Sequence, residues 1–473
     1  MSDTPKGSRP AEIVVIGAGP SGLTAALELQ RGGRAPLLLE RAGQVGGLMR
    51  SLRLGGAVLD LGRKELYARF PEVDALWTEV LGDDFAEYPH RVGSLYRGRI
   101  VEMSGRYRGP ARGMPLPWLL RGGAGLLRGW AGGALRPPRT MADYWSSRVG
   151  AEFARILARG YWEKFRGTTW DAMPAPAHHP TGARPGPRVL AGARQALGMA
   201  RRGGVAAQAA WRHPRGGTGQ LFERIAGAYA AGGGRLVLGA EVTALTRRPG
   251  GRVRVAWTAD GQGHETDARQ VISSLPVERL WALLSPDAAP GDAPSPGPEA
   301  GRAVLLVYLL FDAPPPFPHA WLEVNDPNLR CGRITNYAAF GGGMVPDGQT
   351  ALCVEYFCAG DDPLLARDAS GQIAFALSEL RGAGLTGAAP IACKAVTLPR
   401  TNAAASWREQ QSAHRAALFE RLRAVPEVYH VNRPGSDWAS LAGLQAARAI
   451  LSGDRAAFDA VADPTRRQEE PAT

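Results

Sequence analysis

"IVVIGAGPSGLTAALELQ", residues 13–30, decides how the rest of the chain is read. Apolar β-formers run into Gly17-x-Gly19-x-x-Gly22, and Leu23, Ala26 and Leu27 then keep one helical face apolar. The spacing predicts a strand over 13–16, a glycine turn over 17–22 and a helix over 23–30. Gly32-Gly33 stops that helix, and a second strand is expected over 37–40. Each glycine has a physical task. Gly17 turns the chain sharply, Gly19 lets the backbone approach a pyrophosphate, and Gly22 lets helix and strand pack closely. The helix start at Pro20 and Ser21 offers free N–H groups to phosphate oxygens. Glu40 ends the next strand where a ribose-binding acid is expected; its carboxylate accepts two hydroxyl hydrogen bonds and repels a 2′-phosphate. A dinucleotide is implied, of flavin or nicotinamide type.

Composition narrows the class. At 473 residues, two or three structural units are expected, and 45% hydrophobic with 21% charged residues describes a globular protein. The start, "MSDTPKGSRP", is polar, and nowhere do about 18 consecutive apolar residues occur, so neither a leader nor a membrane span is expected. A cytoplasmic location is the default expectation. Cys331, Cys353, Cys358 and Cys393 form no CxxC pair and read as small buried thiols, with no metal site or disulfide expected.

The formal charge of +12 suggests an anionic partner. Only Lys6, Lys64, Lys164 and Lys394 are lysines, however, and an arginine skew alongside abundant Ala, Gly and Pro reflects composition bias. Nucleic acid is therefore not the expected partner. Arginines concentrate at 106–139 and 184–215, as solvated faces or against an anionic ligand or membrane surface. In "RYRGPARGMPLPWLLRGGAGLLRGWAGGALRPPR" they alternate with Trp118, Trp130 and leucines. That mixture suits peripheral membrane contact, an access lid or plain helical packing.

Further along, a helix is expected over 220–231, then a hairpin of two strands around the Pro-Gly-Gly of "TRRPGGRVRV". A Pro/Asp/Gly-rich loop fills about 285–301. Strands are expected around "AVLLVYLLF", "CGRITNY" and "TALCVEYFC", a last helix lies in "SDWASLAGLQAARAIL", and the polar tail after Asp454 is expected to fray.

After Glu40, "LLLERAGQVGGLMRS" places Gly46-Gly47 five residues on, with Arg50 and Ser51 just beyond. This resembles the second signature of the flavoprotein superfamily that contains amine oxidases, protoporphyrinogen oxidase, phytoene desaturases and UDP-galactopyranose mutase. The resemblance implies that Arg41, Gly46, Gly47, Leu48 and Arg50 pass along the diphosphate and ribityl chain of FAD, where an arginine fork suits phosphate. It continues through Gly62 in "DLG", "YWEKFRG", "HPRGGTGQLFERIA" and "GAEVTAL", in which Val242 would meet the adenine. Ser273 and Ser274 of "VISSLP" resemble the return strand closing over FAD. Arg433, Gly435, Ser436 and Asp437 resemble the final loop, whose helix N-terminus faces the flavin and stabilises negative charge on the reduced ring.

The resemblance implies an α/β fold: a Rossmann-like FAD domain of the glutathione-reductase type with an inserted substrate domain of helices and antiparallel sheet. The FAD domain would comprise 1–95, 211–285 and 415–455. A helical lid would occupy 96–210, the substrate sheet 286–414 and a flexible tail 456–473. The implied function is that of an FAD-dependent oxidoreductase moving hydride from a small or medium organic substrate to flavin N5. The alternatives are a nucleotide-sugar mutase using reduced FAD without net redox change, and a non-catalytic FAD-binding protein. Two departures fall beside the flavin: where the relatives have D-x-G-G-H, this chain has Asp60-Leu61-Gly62-Arg63-Lys64, and the C-terminal loop is several residues shorter between Gly435 and Asp437, with Asn432 in place of the usual glycine before Arg433. Lys64 and Arg63, with Lys164, are the catalytic candidates. Three readings of "RKE" (63–65) compete: contact with the flavin, binding of an anionic substrate group, or a surface salt-bridge cluster.

Overall fold

Ile13–Ile16 is apolar on both faces, so it belongs at the centre of a sheet covered on both sides. The computed structural model describes residues 11–67, 69–103, 113–133, 138–175, 211–285, 302–402 and 416–462. There the strand pairs in parallel with Leu37–Leu39 and Gln270–Ser273. Val428–His430 and Arg235–Val237 complete a five-stranded parallel sheet from the first, middle and last parts of the chain.

Successive side chains of a strand point to opposite faces, and the packing obeys that alternation. Val15, Leu38 and Ile272 face helices Pro20–Arg31, Gly217–Ala231 and Ser436–Ser452. Val14, Ile16 and Val271 face a three-stranded antiparallel sheet, Glu241–Arg248, Arg252–Ala259 and Gln262–Ala268, with helix Val277–Leu284 beside it. Helices Pro20–Arg31 and Ser436–Ser452 nearly touch backbones, since a Cβ on Gly443 would lie 2.2 Å from the Ser21 carbonyl oxygen.

The second large sheet has seven strands in the order Ala392–Asn402, Arg302–Phe311, Thr350–Cys358, Arg333–Asn336, Trp321–Val324, Val92–Tyr96 and Arg99–Glu102. Its central strands are buried on both faces, which explains their nearly unbroken apolar runs. Helix Ala369–Gly382 covers one face. The other packs against Ala57–Leu61 and Tyr161. Helices Leu116–Gly133 and Met141–Val149, and the helical run over 151–166, lie over its Val92–Glu102 end.

Several expectations shift. The first helix starts at Pro20 and the later one at Gly217, each three residues early, because both glycine turns feed straight into helical backbone. The hairpin gains a third strand, Gln262–Ala268. The tail reading is corrected over 455–462. Helix Arg455–Ala462 forms there because Phe458 is buried against Tyr429, with ring centroids 5.1 Å apart. Val92–Tyr96 already belongs to the second sheet. The loop at 286–301, the arginines of 184–210 and the rest of the tail lie outside the described residues. Cys331, Cys353 and Cys358 are buried and Cys393 is half-buried, all as free thiols.

Candidate active site

The predicted cofactor residues converge at the carboxyl ends of the five parallel strands. Gly17, at φ +94°, donates its N–H to the Leu39 carbonyl at 2.7 Å, and a Cβ there would strike Ser274 Oγ at 2.1 Å. A Cβ on Gly22 would lie 1.8 Å from the Gly17 carbonyl oxygen. The second glycine loop folds over the first. Gly46 N–H donates to the Ala18 carbonyl at 2.8 Å, and a Cβ on Gly47 would approach Gly19 Cα to 3.3 Å. Arg50 braces this loop through Nη1 to the Gly47 carbonyl, 2.8 Å. Glu40 accepts from the N–H groups of Ala18 and Ala42, both at 2.7 Å. Each of its oxygens keeps a second lone pair for a ribose hydroxyl.

Ser273 lies level with Ile16 in the parallel ladder, and Ser274 Oγ donates to the Ile16 carbonyl at 2.9 Å. Asn432 Nδ2 donates to the Ser274 carbonyl at 2.7 Å, tying the C-terminal loop and Arg433 to the same edge. Val242 is buried against the other face of the sheet, with Ile16 and Leu39. Ser21 Oγ donates to the Val431 carbonyl, a packing contact. Arg41 and Leu48 are exposed at the rim.

The cradle fits FAD. Helices Pro20–Arg31 and Ser436–Ser452 both begin at glycines, Gly19 and Gly435, which bring no capping side chain; in the second helix Asp437 Oδ1 accepts from the Trp438 N–H at 2.9 Å. Two helix N-termini that begin at glycine, beside a cleft of glycines, offer their remaining donors and partial positive charge to a diphosphate and to a flavin. Asp437 behaves differently from the other C-terminal residues. It is fully buried and grips Arg69 with both oxygens, at 2.7 and 2.8 Å, so its carboxylate is occupied.

Arg69 belongs to a strap, of which residues 62–67 and 69–70 are described, that runs from Glu355 on one sheet to Asp437 beside the other. At its start, Tyr308 and Tyr337 hydroxyls donate to the Asp60 carbonyl at 2.8 and 2.7 Å. Asp60 itself is buried. It accepts from Ser51 Oγ and Thr218 N–H and lies 2.9 Å from His213 Nε2. Burial alone would raise its carboxyl, but His213, Ser51 and Thr218 hold it below the ordinary value. Gly62, at φ +73°, lets the chain lie on the substrate sheet, where a Cβ would come within 3.2 Å of Glu355.

"RKE" is not a surface cluster. Glu65 is buried, paired with Arg63 at 2.8 Å and His90 at 2.7 Å, and accepts from Tyr67 at 2.6 Å. Arg63 lies over the Trp321 ring at 4.6 Å and donates its backbone N–H to Glu355 at 3.0 Å. Lys64, between them and half-buried, makes no hydrogen bond among the described residues. Burial pushes its ammonium below the ordinary value, against the opposing pull of Glu355 and Asp60.

The facing sheet carries a row of charge the sequence reading missed. Strand register sets Glu323 opposite Arg333, and Arg333 opposite Glu355. Arg333 pairs with Glu355 at 3.0 Å and reaches the Tyr161 hydroxyl. Burial pushes the Glu323 carboxyl up, with Arg333 and Arg63 opposing. A lone glutamate within the otherwise apolar "TALCVEYFC" was the available signal, since a buried acid demands a partner. Lys164 lies away from this group. Its ammonium donates to the carbonyls of Val324, Asp326 and Cys331 at 3.0, 2.9 and 3.1 Å, which makes it a clip between helix and sheet.

A family model, flavin containing amine oxidoreductase, matches residues 20–459. No curated protein matches the chain in sequence. Among solved structures, the fold is similar to that of reduced UDP-galactopyranose mutase, with TM-score 0.74 and 19% identity, covering 95% of this chain and 97% of that one. It is similar to a protein from Exiguobacterium sp. 255-15 provisionally designated a protoporphyrinogen oxidase, with TM-score 0.68 and 18% identity over 93% and 98% of the two chains. Putrescine oxidase bound to putrescine gives TM-score 0.56 and 15% identity over 96% and 99%. The chain belongs to the flavin-containing amine oxidoreductase family, and its cofactor is FAD.

Proposed function

We propose that this flavin-containing amine oxidoreductase family member is an oxidase or dehydrogenase of a small or medium organic molecule. Its substrate lies between the strap 62–70 and the row Glu323, Arg333 and Glu355. Bound FAD supplies the hydride acceptor, N5. Gly17, Gly19, Gly22, Glu40, Gly46 and Gly47 hold its diphosphate and ribose end, and the helix starting after Gly435 faces its ring.

One observation carries the reading: Lys64 is the cation at this junction that has no hydrogen-bond partner among the described residues. The nearby arginines are spent. Arg63 neutralises Glu65, Arg333 neutralises Glu355, and Arg69 neutralises Asp437. Lys64 is therefore free to orient a polar group of the substrate. With its pKa lowered, it accepts a proton from that group's N–H or O–H as the neighbouring C–H is oxidised. The same pairing disfavours the mutase alternative, because a nucleotide-sugar diphosphate needs cations that are not already neutralised.

The test is anaerobic. Mixing with a substrate should bleach the flavin stoichiometrically without added reductant, and Lys64→Met should slow bleaching about a hundredfold at unchanged flavin content. Turnover of a nucleotide sugar only after chemical reduction, with no net reductant consumed, would establish the mutase instead. Protein that neither carries nor takes up FAD would sink both.

A further inference from the structure

Helix Leu116–Gly133 is built inside out. Its packed face is glycine: a Cβ on Gly122 would lie 2.3 Å from the Phe153 ring, and one on Gly129 would lie 2.1 Å from the Ser146 carbonyl oxygen. Gly150 meets it from the other side, where a Cβ would lie 2.6 Å from Leu126 N. Among the described side chains, Trp118 and Leu119 add apolar bulk inward, against the cluster of Tyr96, Val101, Met114 and Ile156. Three other leucines point outward. Leu116, Leu120 and Leu127 are 67%, 66% and 65% exposed, and spacings of four and seven residues set them on one stripe. These are three of the six large hydrophobic side chains exposed among the described residues.

A surface helix that serves only its own fold places leucine inward and leaves small or polar residues outside. Here glycine backbone contact, with Trp118 and Leu119, fills the inner face, so Leu116, Leu120 and Leu127 add little to the fold and need another apolar phase. The charge around them says which. Arg121 and Arg128, seven apart, are exposed beside the stripe. From 103 to 142 the sequence holds seven arginines and no acidic residue. A second copy of this chain would set those arginines against each other. An anionic lipid surface accepts both features at once, leucines among the acyl chains and guanidinium groups at the phosphates. The helix is not apolar enough to cross a membrane, so it lies in the interface.

We propose that the Leu116–Leu120–Leu127 face docks this protein peripherally on anionic membranes. The test uses the flavin-loaded full chain with phosphatidylcholine vesicles, with and without phosphatidylglycerol. Co-sedimentation with the anionic vesicles is expected, weakening as salt is raised. Leu120→Asp or Leu127→Asp should each lower binding on the order of tenfold, as should Arg121→Glu combined with Arg128→Glu. Flavin content and melting temperature should not move, because these side chains are exposed. Binding that survives Leu120→Asp overturns the proposal, as does a solution dimer that this substitution dissolves. Should a variant fail to fold, the unmodified protein decides: equal binding to both vesicle types, or to neither, overturns it.

Discussion

Around Gly17, Gly22 and Gly47 the chain is shaped by the absence of a Cβ, whereas from Gly62 to Phe70 it is held by side chains reaching across the molecule. The cradle's contacts are backbone to backbone within the first 50 residues, as in Gly46 N–H to the Ala18 carbonyl. The strap's contacts are long-range: Arg63 meets Glu355, and Arg69 meets Asp437. A cradle of main-chain donors recognises diphosphate whatever the substrate, so it can stay fixed while the chemistry changes. In the proposed reading, the strap carries the charges that face the substrate. The two also fail differently. A cradle glycine has no tolerable neighbour, while each strap residue can be exchanged at a cost set by the partner it leaves behind.

The largest effect on the folded, flavin-bound state is expected at Gly22. Alanine there sets a methyl 1.8 Å from a backbone oxygen, which no rotamer relieves. Gly22→Ala should lose flavin and about 3 kcal/mol or more of stability, read by flavin absorbance and denaturant titration. Full flavin content in this variant would break the distinction between cradle and strap. Arg333→Leu comes next. It strands Glu355, which is 4% exposed on its side chain, with the Arg63 N–H and Thr335 hydroxyl as its remaining donors. Breaking a buried pair should cost about 3 kcal/mol. Arg333→Leu with Glu355→Leu should recover most of that, and flavin should remain bound in both.

Lys164→Met should cost about 2 kcal/mol, because three carbonyls lose a charged donor. Turnover per bound flavin should stay within about twofold, since no strap residue touches it. A large fall in turnover at unchanged flavin content would return Lys164 to the catalytic group.

The cradle was legible in the sequence because its cause is local. A strand, three glycines at fixed spacing and a helix occupy one stretch, and the turn that Gly17 makes and the contact of Gly22 with the Gly17 carbonyl both lie within it. The first helix nevertheless begins three residues before the apolar spacing predicts. Residues 20–22 are already helical, but the first i→i−4 bond is that of Leu23 N–H to the Gly19 carbonyl at 3.0 Å, and apolar periodicity marks only the residues from there. The charge row was not legible. Glu323, Arg333 and Glu355 share a face only through the register of three strands, and no pattern within "WLEV", "GRITN" or "CVEYF" encodes which will be neighbours. Asp437 was placed at the cofactor by its position after Gly435. Its carboxylate instead belongs to Arg69, a pairing that only the folded chain reveals.

Lys64 gives the smallest change in stability and the sharpest test of the comparison. Its ammonium is held below the ordinary value of 10.5 by burial, so the folded state binds its proton less readily than the unfolded chain. Between the folded and unfolded pKa the unfolded state carries more protons, and stability therefore rises with pH across that window. Lys64 thus destabilises the fold at neutral pH, and the penalty fades as pH approaches 10.5. Lys64→Met should be slightly more stable than the unmodified protein at pH 7, with the difference shrinking at alkaline pH in paired melts. Its turnover should fall even so. In the unmodified protein, turnover should rise with pH as Lys64 loses its proton, and that limb should vanish in Lys64→Met. A variant that is both less stable and equally active would show Lys64 to be a structural cation like Lys164. The strap would then be scaffolding, no nearer the chemistry than the cradle is.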